Sequence, residues 1–146
     1  MKFDFADFKK KFDDGLYGGI KSSQYSKLIF KLDEFIDSDK IQLFYPRNLF
    51  LEDKELEIFI FIDNKLIIGK NINAGRIEIK VLKLNDIKDL KSECTYYKDG
   101  FHRLTVTFIN NEILVFDSAE DTNESWRYSF ENHIKELTKF LINVIN

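Results

Sequence analysis

Hydrophobic residues at helical spacing mark both ends of the chain. An apolar stripe that follows the possible caps Ser22 and Ser23 predicts a helix; its members are Tyr25, Leu28, Ile29, Leu32, Phe35 and Ile36. A second stripe predicts a helix from about Glu124 to Ile145, through Trp126, Phe130, Ile134, Leu137, Leu141 and Val144. A shorter stripe, Phe5, Phe8 and Phe12, predicts a helix over Phe3–Phe12, with a flexible joint at Tyr17-Gly18-Gly19.

Between these helices the hydrophobic period falls from about 3.6 to 2, which is typical of strands. Seven segments follow the shorter period: residues 41–45, 56–62, 66–70, 76–84, 90–97, 101–109 and 112–118. Pro46 marks a strand end or a sheet edge because proline cannot donate to a ladder. Asp63 and Asn64 predict a tight hairpin turn. The alternation slips near Val81 and Leu82, which predicts a bulge or bend there.

The order of these elements predicts an α+β fold. No helix separates the strands, which favours a meandering antiparallel sheet over a parallel one. We expect a seven-strand barrel or a strongly bent sheet, closed by the C-terminal helix and preceded by two N-terminal helices. Residues 1–146 then form a single domain, with a helical extension over 1–38 and the barrel with its closing helix over 40–146. Five side chains should plug the interior: Trp126, Phe130, Ile134, Leu137 and Leu141.

One segment is similar to a short sequence motif of GRAM-type and bacterial pleckstrin-homology-like domains. In that motif a hydrophobic residue, a polar residue, Leu, any residue, Asp and Ile follow one another. The segment is Val81-Leu82-Lys83-Leu84-Asn85-Asp86-Ile87-Lys88-Asp89-Leu90. The resemblance covers residues 40–146 and implies a pleckstrin-homology-like barrel. The chain also resembles small bacterial proteins of AT-rich genomes. Phosphoinositide-binding domains of this type carry a basic cluster on their first hairpin, whereas Lys54, Lys65 and Lys70 are accompanied here by acidic residues. Phosphoinositide binding is therefore not implied, and no functional residue carries over.

Charge and composition narrow the possible partners. The chain has 22 basic and 25 acidic residues, a net charge of −3, and no basic stripe, which disfavours nucleic acid. The longest apolar run, Ile58–Ile62, is far shorter than the about 20 residues that span a bilayer. Lys9-Lys10-Lys11 could touch a membrane surface, but nearby aspartates offset its charge. Asp4 and Asp7 interrupt any signal-peptide core, and the single Cys94 cannot form an internal disulfide. We expect a cytoplasmic protein.

The candidate chemistry is sparse, so no catalytic, cofactor-binding or metal-ligating residue and no cofactor is predicted. His102 and His133 lack a metal-binding spacing, and Cys94 is expected to be a small buried side chain. Four acidic pairs are expected to be solvated: Asp13/Asp14, Asp33/Glu34, Glu52/Asp53 and Glu120/Asp121.

Three functional hypotheses remain open. The first is a non-catalytic binding or interaction module for a protein, a peptide or a second copy of the chain. Its candidate anchors are Phe44, Tyr45 and Phe50, since aromatic residues are enriched at interface hot spots, and the alternative for these three residues is core packing. The second hypothesis is an immunity-type inhibitor that neutralises a toxin. The third is an enzyme with an unfamiliar site that uses His102, His133 and an acid.

Overall fold

A computed structural model of the chain describes residues 4–13, 22–73 and 75–145. Within them, the helices are α1 (Phe5–Asp13), α2 (Ser22–Asp33) and α3 (Arg127–Val144). The strands are β1 (Leu43–Arg47), β2 (Glu57–Ile62), β3 (Lys65–Asn73), β4 (Arg76–Lys83), β5 (Ile87–Cys94), β6 (His102–Phe108) and β7 (Ile113–Asp117). The expected seven strands and three helices are all present. None of the helices in these ranges is long and apolar enough to cross a membrane.

The strands form two antiparallel sheets, one of four strands in the order β1-β2-β3-β4 and one of three in the order β5-β6-β7. The meandering antiparallel arrangement is confirmed, but the expected closed barrel or single bent sheet is wrong. A 3₁₀ turn at Leu84–Asp86 redirects the chain between β4 and β5. Across the gap between β1 and β7, Arg47 donates a hydrogen bond to the carbonyl of Val115, so the two edges meet through a side chain rather than a ladder.

The four-stranded sheet is covered on both faces, which explains why β2 is buried at five of its six positions. On one face, the ring of Phe44 lies 5.5 Å from that of Phe5 and 5.0 Å from that of Phe8 in α1. On the same face, Gly69 packs under Leu32 of α2. The N-terminal helices therefore pack on their own chain. The other face meets the three-stranded sheet, where the Phe59 ring lies 5.0 Å from that of Phe116, and α3, where the Phe61 ring lies 5.9 Å from that of Phe140.

Helix α3 closes the core as the sequence predicts. Four of its five predicted interior side chains are buried: Phe130, Ile134, Leu137 and Leu141. The fifth, Trp126, is partly exposed because it lies in a 3₁₀ turn that precedes the helix, where its ring packs 5.2 Å from Phe50. Asn123 caps this turn by accepting a hydrogen bond from the Trp126 N–H. The α-helix consequently begins at Arg127, three residues later than predicted.

Two local predictions are wrong, and one lies outside the described residues. Helix α2 ends at Asp33 in a tighter turn, in which the Phe35 N–H donates to the Leu32 carbonyl, so Phe35 is 64% exposed. The irregularity predicted at Val81 and Leu82 is absent, since both residues pair in regular register with β3. The register shift lies between Asn71 and Asn73 instead. The joint at residues 17–19 falls outside the described ranges.

Candidate interaction surface

The three aromatic residues predicted as binding anchors lie in or near the core. Phe44 and Tyr45 are 1% and 0% exposed, with Phe44 facing α1 and Tyr45 facing α3. Phe50 is partly exposed and packs against Trp126. Neither the Phe44 ring nor the Tyr45 ring is accessible to a partner in this structure. A binding role for Phe50 stays a prediction.

Tyr45 belongs to a buried polar cluster at the corner where β1 meets the loop after β7. Its hydroxyl donates a 2.6 Å hydrogen bond to Oδ2 of Asp121, and the backbone N–H of Asp117 donates to the same oxygen at 2.9 Å. Asp121 is 6% exposed, so the expectation that the Glu120/Asp121 pair is solvated is wrong for Asp121. Burial raises the pKa of Asp121 and raises that of Tyr45 well above its usual range, which keeps the tyrosine a donor.

Two arginines complete the corner, and both are paired. The Arg47 guanidinium lies 4.5 Å from the ring centre of Phe59 and 5.3 Å from that of Phe116, and it donates to Glu57 at 3.4 Å. Nε of Arg103 donates a 2.7 Å hydrogen bond to Asp117 Oδ2. Because buried charges are costly unless they are paired, this cluster is best explained as the tie between the two sheets.

The two histidines have different surroundings, so the structure gives no support to an active site that contains both. His133 in α3 is buried, stacks 5.8 Å from the Tyr45 ring and donates from Nε2 to the Phe44 carbonyl. Burial lowers its pKa to about 4. His102 in β6 instead lies 2.6 Å from the hydroxyl of Ser92 in β5. Burial lowers the pKa of His102 as well.

A serine hydroxyl beside a histidine nitrogen is the first pair of many nucleophilic sites, but such sites also need a group that orients the histidine. Within the described ranges, no hydrogen bond joins the His102 ring to a carboxylate, and the charge of Glu131 only partly offsets the lowering of the His102 pKa by burial. The same part of the chain holds no group of three His, Cys, Asp or Glu side chains that could bind a metal ion. Cys94, expected to be buried, is exposed at the last position of β5, an edge strand of the three-stranded sheet.

The β5–β6 connection, residues 95–101, is a loop built around Asp99, and we call it the tyrosine loop. The Thr95 hydroxyl lies 2.7 Å from Asp99 Oδ1 and 2.6 Å from the Tyr97 carbonyl. The Phe101 N–H donates to the same Asp99 oxygen at 3.0 Å. These hydrogen bonds, that of Thr95 first, lower the pKa of the Asp99 carboxyl. The turn ends at Gly100, whose φ of +85° is a left-handed conformation that glycine adopts without strain.

The tyrosine loop presents aromatic rings to solvent. Tyr96 is fully exposed, and Tyr97 is 73% exposed. Tyr128, 53% exposed, follows the first residue of α3, where the side chains of Arg127 and Tyr128 border Gly100. The sequence pattern predicts a strand that continues through Tyr97 and therefore does not reveal this surface. The available signal was the pair of consecutive tyrosines close to Asp99-Gly100. Neighbouring residues of a strand point to opposite faces, so one of the two tyrosines is exposed unless both faces of the strand are covered.

Comparison with known proteins identifies a family. A family model described as "Protein of unknown function (DUF3908)" matches residues 16–132, most of the chain. The chain belongs to the DUF3908 family. No curated protein and no solved structure matches it.

The DUF3908 match contains all seven strands, the buried corner and the tyrosine loop, and it ends inside α3. The two sheets, the buried corner and the tyrosine loop therefore lie within the region that the family model matches.

Proposed function

We propose that this DUF3908 protein is a non-catalytic interaction module that binds a protein or peptide partner through the tyrosine loop and the neighbouring start of α3. The observation that carries the proposal is the outward presentation of Tyr96 and Tyr97 by a hydrogen-bonded loop. A large aromatic ring that is left in water gains free energy when a partner covers it, and tyrosine is among the residues that dominate interface energetics.

The construction of the loop supports binding rather than mere exposure. Asp99 accepts from both ends of the turn, and Gly100 is seated against Arg127 and Tyr128 of α3. An ordered loop loses little conformational entropy when it binds, which is the advantage that tyrosine-rich antibody loops also use. The exposed Lys98 adds a charge that a partner can pair.

We further propose that the architecture is pleckstrin-homology-like. The support is the order of the elements: four antiparallel strands, three antiparallel strands and a C-terminal helix that packs on the second sheet. The two sheets remain separate, so the relationship concerns the order and packing of the elements and not a closed barrel.

Affinity capture from extracts of the source organism tests the proposal with three forms of the full chain. These are the natural protein, the Tyr96→Ala/Tyr97→Ala variant, and Phe35→Ala, which removes an exposed aromatic ring from the turn that follows α2. We expect a near-stoichiometric partner that the natural protein and Phe35→Ala retain and that the double variant loses. Capture of no such partner, or equal capture by all three forms, would contradict the proposal.

The hypothesis of a toxin-neutralising protein is a special case of the same proposal, with an enzyme as the partner. If the captured partner is a toxin, its activity should fall on addition of the natural protein and of Phe35→Ala, but not of Tyr96→Ala/Tyr97→Ala. An enzyme that is captured but remains fully active would exclude inhibition while leaving the interaction intact.

A further inference from the structure

A cavity of about 590 Å³ lies between helix α2 and the β3–β4 hairpin, and it shares no residue with the tyrosine loop. Its helical wall is formed by Gln24, Lys27 and Lys31, which are spaced by three and four residues and therefore share one face of α2. The volume falls within the range of roughly 300–1,000 Å³ that is typical of small-molecule pockets.

The opposite wall comes from the end of the hairpin, where β3 is irregular. The register shift between Asn71 and Asn73 occurs at this wall, and both asparagines line the cavity. Bulges often occur beside binding sites because they redirect a side chain. Ile72, which is 47% exposed, and Ile77 add apolar surface.

The charge of the lining favours an anion. The lining contains two lysines, Lys27 and Lys31, and one acidic residue, Glu55. Lys31 also pairs with Glu34 at 2.9 Å, but that pair is exposed, with side chains 51% and 60% accessible. Exposed ion pairs contribute little free energy, so a ligand anion can replace Glu34 as the partner of Lys31. The amide groups of Gln24, Asn71 and Asn73 supply further hydrogen-bond donors.

We propose that this cavity, bounded by Lys27 and Lys31 on α2 and by Asn71 and Asn73 on the hairpin, binds a small multivalent anion that bears phosphoryl or carboxylate groups. Two cations one helical turn apart can contact two anionic oxygens of one ligand, and the amides fix its orientation. This site does not depend on the tyrosine loop, so either proposal can fail without the other.

Titration of the full chain with inorganic pyrophosphate and, separately, with citrate tests the site by calorimetry at physiological ionic strength. We expect saturable binding of at least one probe. The probe that binds more tightly indicates whether the ligand carries phosphoryl or carboxylate groups. Lys27→Ala/Lys31→Ala should weaken it at least tenfold. The matched control is Lys135→Ala/Lys139→Ala, another exposed pair one turn apart, in which Lys139 likewise has a glutamate partner, Glu136. The control should bind as the natural protein does.

A second variant separates a built site from general attraction between charges. Asn73→Ala leaves the charge unchanged and should still weaken binding about threefold or more, because it removes an orienting amide. Thermal melts of every variant verify that it is folded. Absence of saturation by both probes, or equal weakening in the two lysine pairs, would overturn the proposal.

Discussion

The Tyr45 hydroxyl and the Asp121 carboxylate lie 2.6 Å apart in the interior, and their hydrogen bond joins β1 to the loop that follows β7. The two residues are separated by 76 positions in the chain, and their contact lies where a closed barrel would have had a strand ladder. These side-chain contacts hold the two sheets together at this corner beside a main-chain hydrogen bond from the Asn48 N–H to the Asp121 carbonyl at 2.7 Å. Their contribution to stability can be measured one atom at a time.

Replacement of Tyr45 by Phe removes the hydroxyl and keeps the ring. Asp121 Oδ2 then retains only the Asp117 N–H as a hydrogen-bond donor, in a residue that is 6% exposed. We expect the free energy of unfolding to fall by about 1–3 kcal/mol, the usual cost of a buried group that loses its partner. Urea denaturation measures the change.

The matched control for this substitution is Tyr97→Phe, which removes a hydroxyl from an exposed ring. It should change the stability by less than about 0.5 kcal/mol, as surface substitutions usually do. Similar losses in the two variants would show that the Tyr45–Asp121 bond does not stabilise the corner.

The buried histidine predicts a dependence of stability on pH. His133 has a pKa of about 4 in the folded chain and about 6.5 when unfolded, so between these values the unfolded chain binds more protons. The stabilisation is fully present above pH 6.5 and is lost as the pH falls toward 4, by a total of about 3 kcal/mol. Unfolding midpoints in urea between pH 7 and pH 4.5 measure this loss.

Substitution of His133 by Gln keeps a hydrogen-bond donor near the Phe44 carbonyl and removes the titration. The stability of this variant should fall less steeply over the same pH range. The buried Asp121 acts in the opposite direction, because its pKa is raised and protonation relieves its burial cost. If the stability of His133→Gln falls with pH as steeply as that of the natural protein, groups other than His133 cause the acid sensitivity.

The periodicity of the chain was sufficient to predict the elements, because the local pattern of apolar residues decides which face of a helix or strand is buried. The α3 stripe is one case: Phe130, Ile134, Leu137 and Leu141 are buried as predicted. Periodicity carries no information on which sheet edges meet. The separation into two sheets depends on the turn at Leu84–Asp86, and the sequence pattern there is compatible with either arrangement.

The candidate sites were harder to predict because they depend on exposure and on contacts between distant residues. Asp121 has the polar surroundings of a surface loop in the sequence, and only the fold brings Tyr45 and Arg47 to it. Tyr45 and Tyr96 are both tyrosines beside a second aromatic residue, yet one is fully buried and the other fully exposed. Residue type alone cannot distinguish a core aromatic from an interface anchor.

The contact between Gly69 and Leu32 predicts a strong steric coupling between β3 and α2. A Cβ atom at Gly69 would lie 2.5 Å from Leu32 Cδ2 and 2.7 Å from Cδ1, closer than carbon atoms can approach. We expect Gly69→Ala to lower the free energy of unfolding by about 1–3 kcal/mol through overpacking. Denaturant unfolding of the natural protein, Gly69→Ala, Leu32→Ala and the double variant forms a double-mutant cycle that measures this coupling. Relief of the clash in the Leu32→Ala background should appear as non-additivity above about 0.5 kcal/mol, whereas additive losses would refute the coupling.

Comparison of two glycines with similar backbone conformations distinguishes backbone strain from side-chain packing at the tyrosine loop. Gly100 and Gly75 have φ values of +85° and +76°, so alanine at either position meets a similar backbone cost of about 1–2 kcal/mol. A Cβ atom at Gly75 would meet open space, whereas one at Gly100 would lie 2.5 Å from Arg127 Cδ. We expect Gly100→Ala to destabilise the fold more than Gly75→Ala does in thermal or urea unfolding.

The same pair of variants connects stability to the proposed function. Movement of Gly100 away from Arg127 displaces the turn that carries Tyr96 and Tyr97, so Gly100→Ala should capture less partner than Gly75→Ala at equal folded concentration. Arg127→Ala in the Gly100→Ala background removes the obstructing side chain and should restore part of the stability. If capture falls equally in Gly75→Ala and Gly100→Ala, the seating of the tyrosine loop on α3 does not position the binding surface.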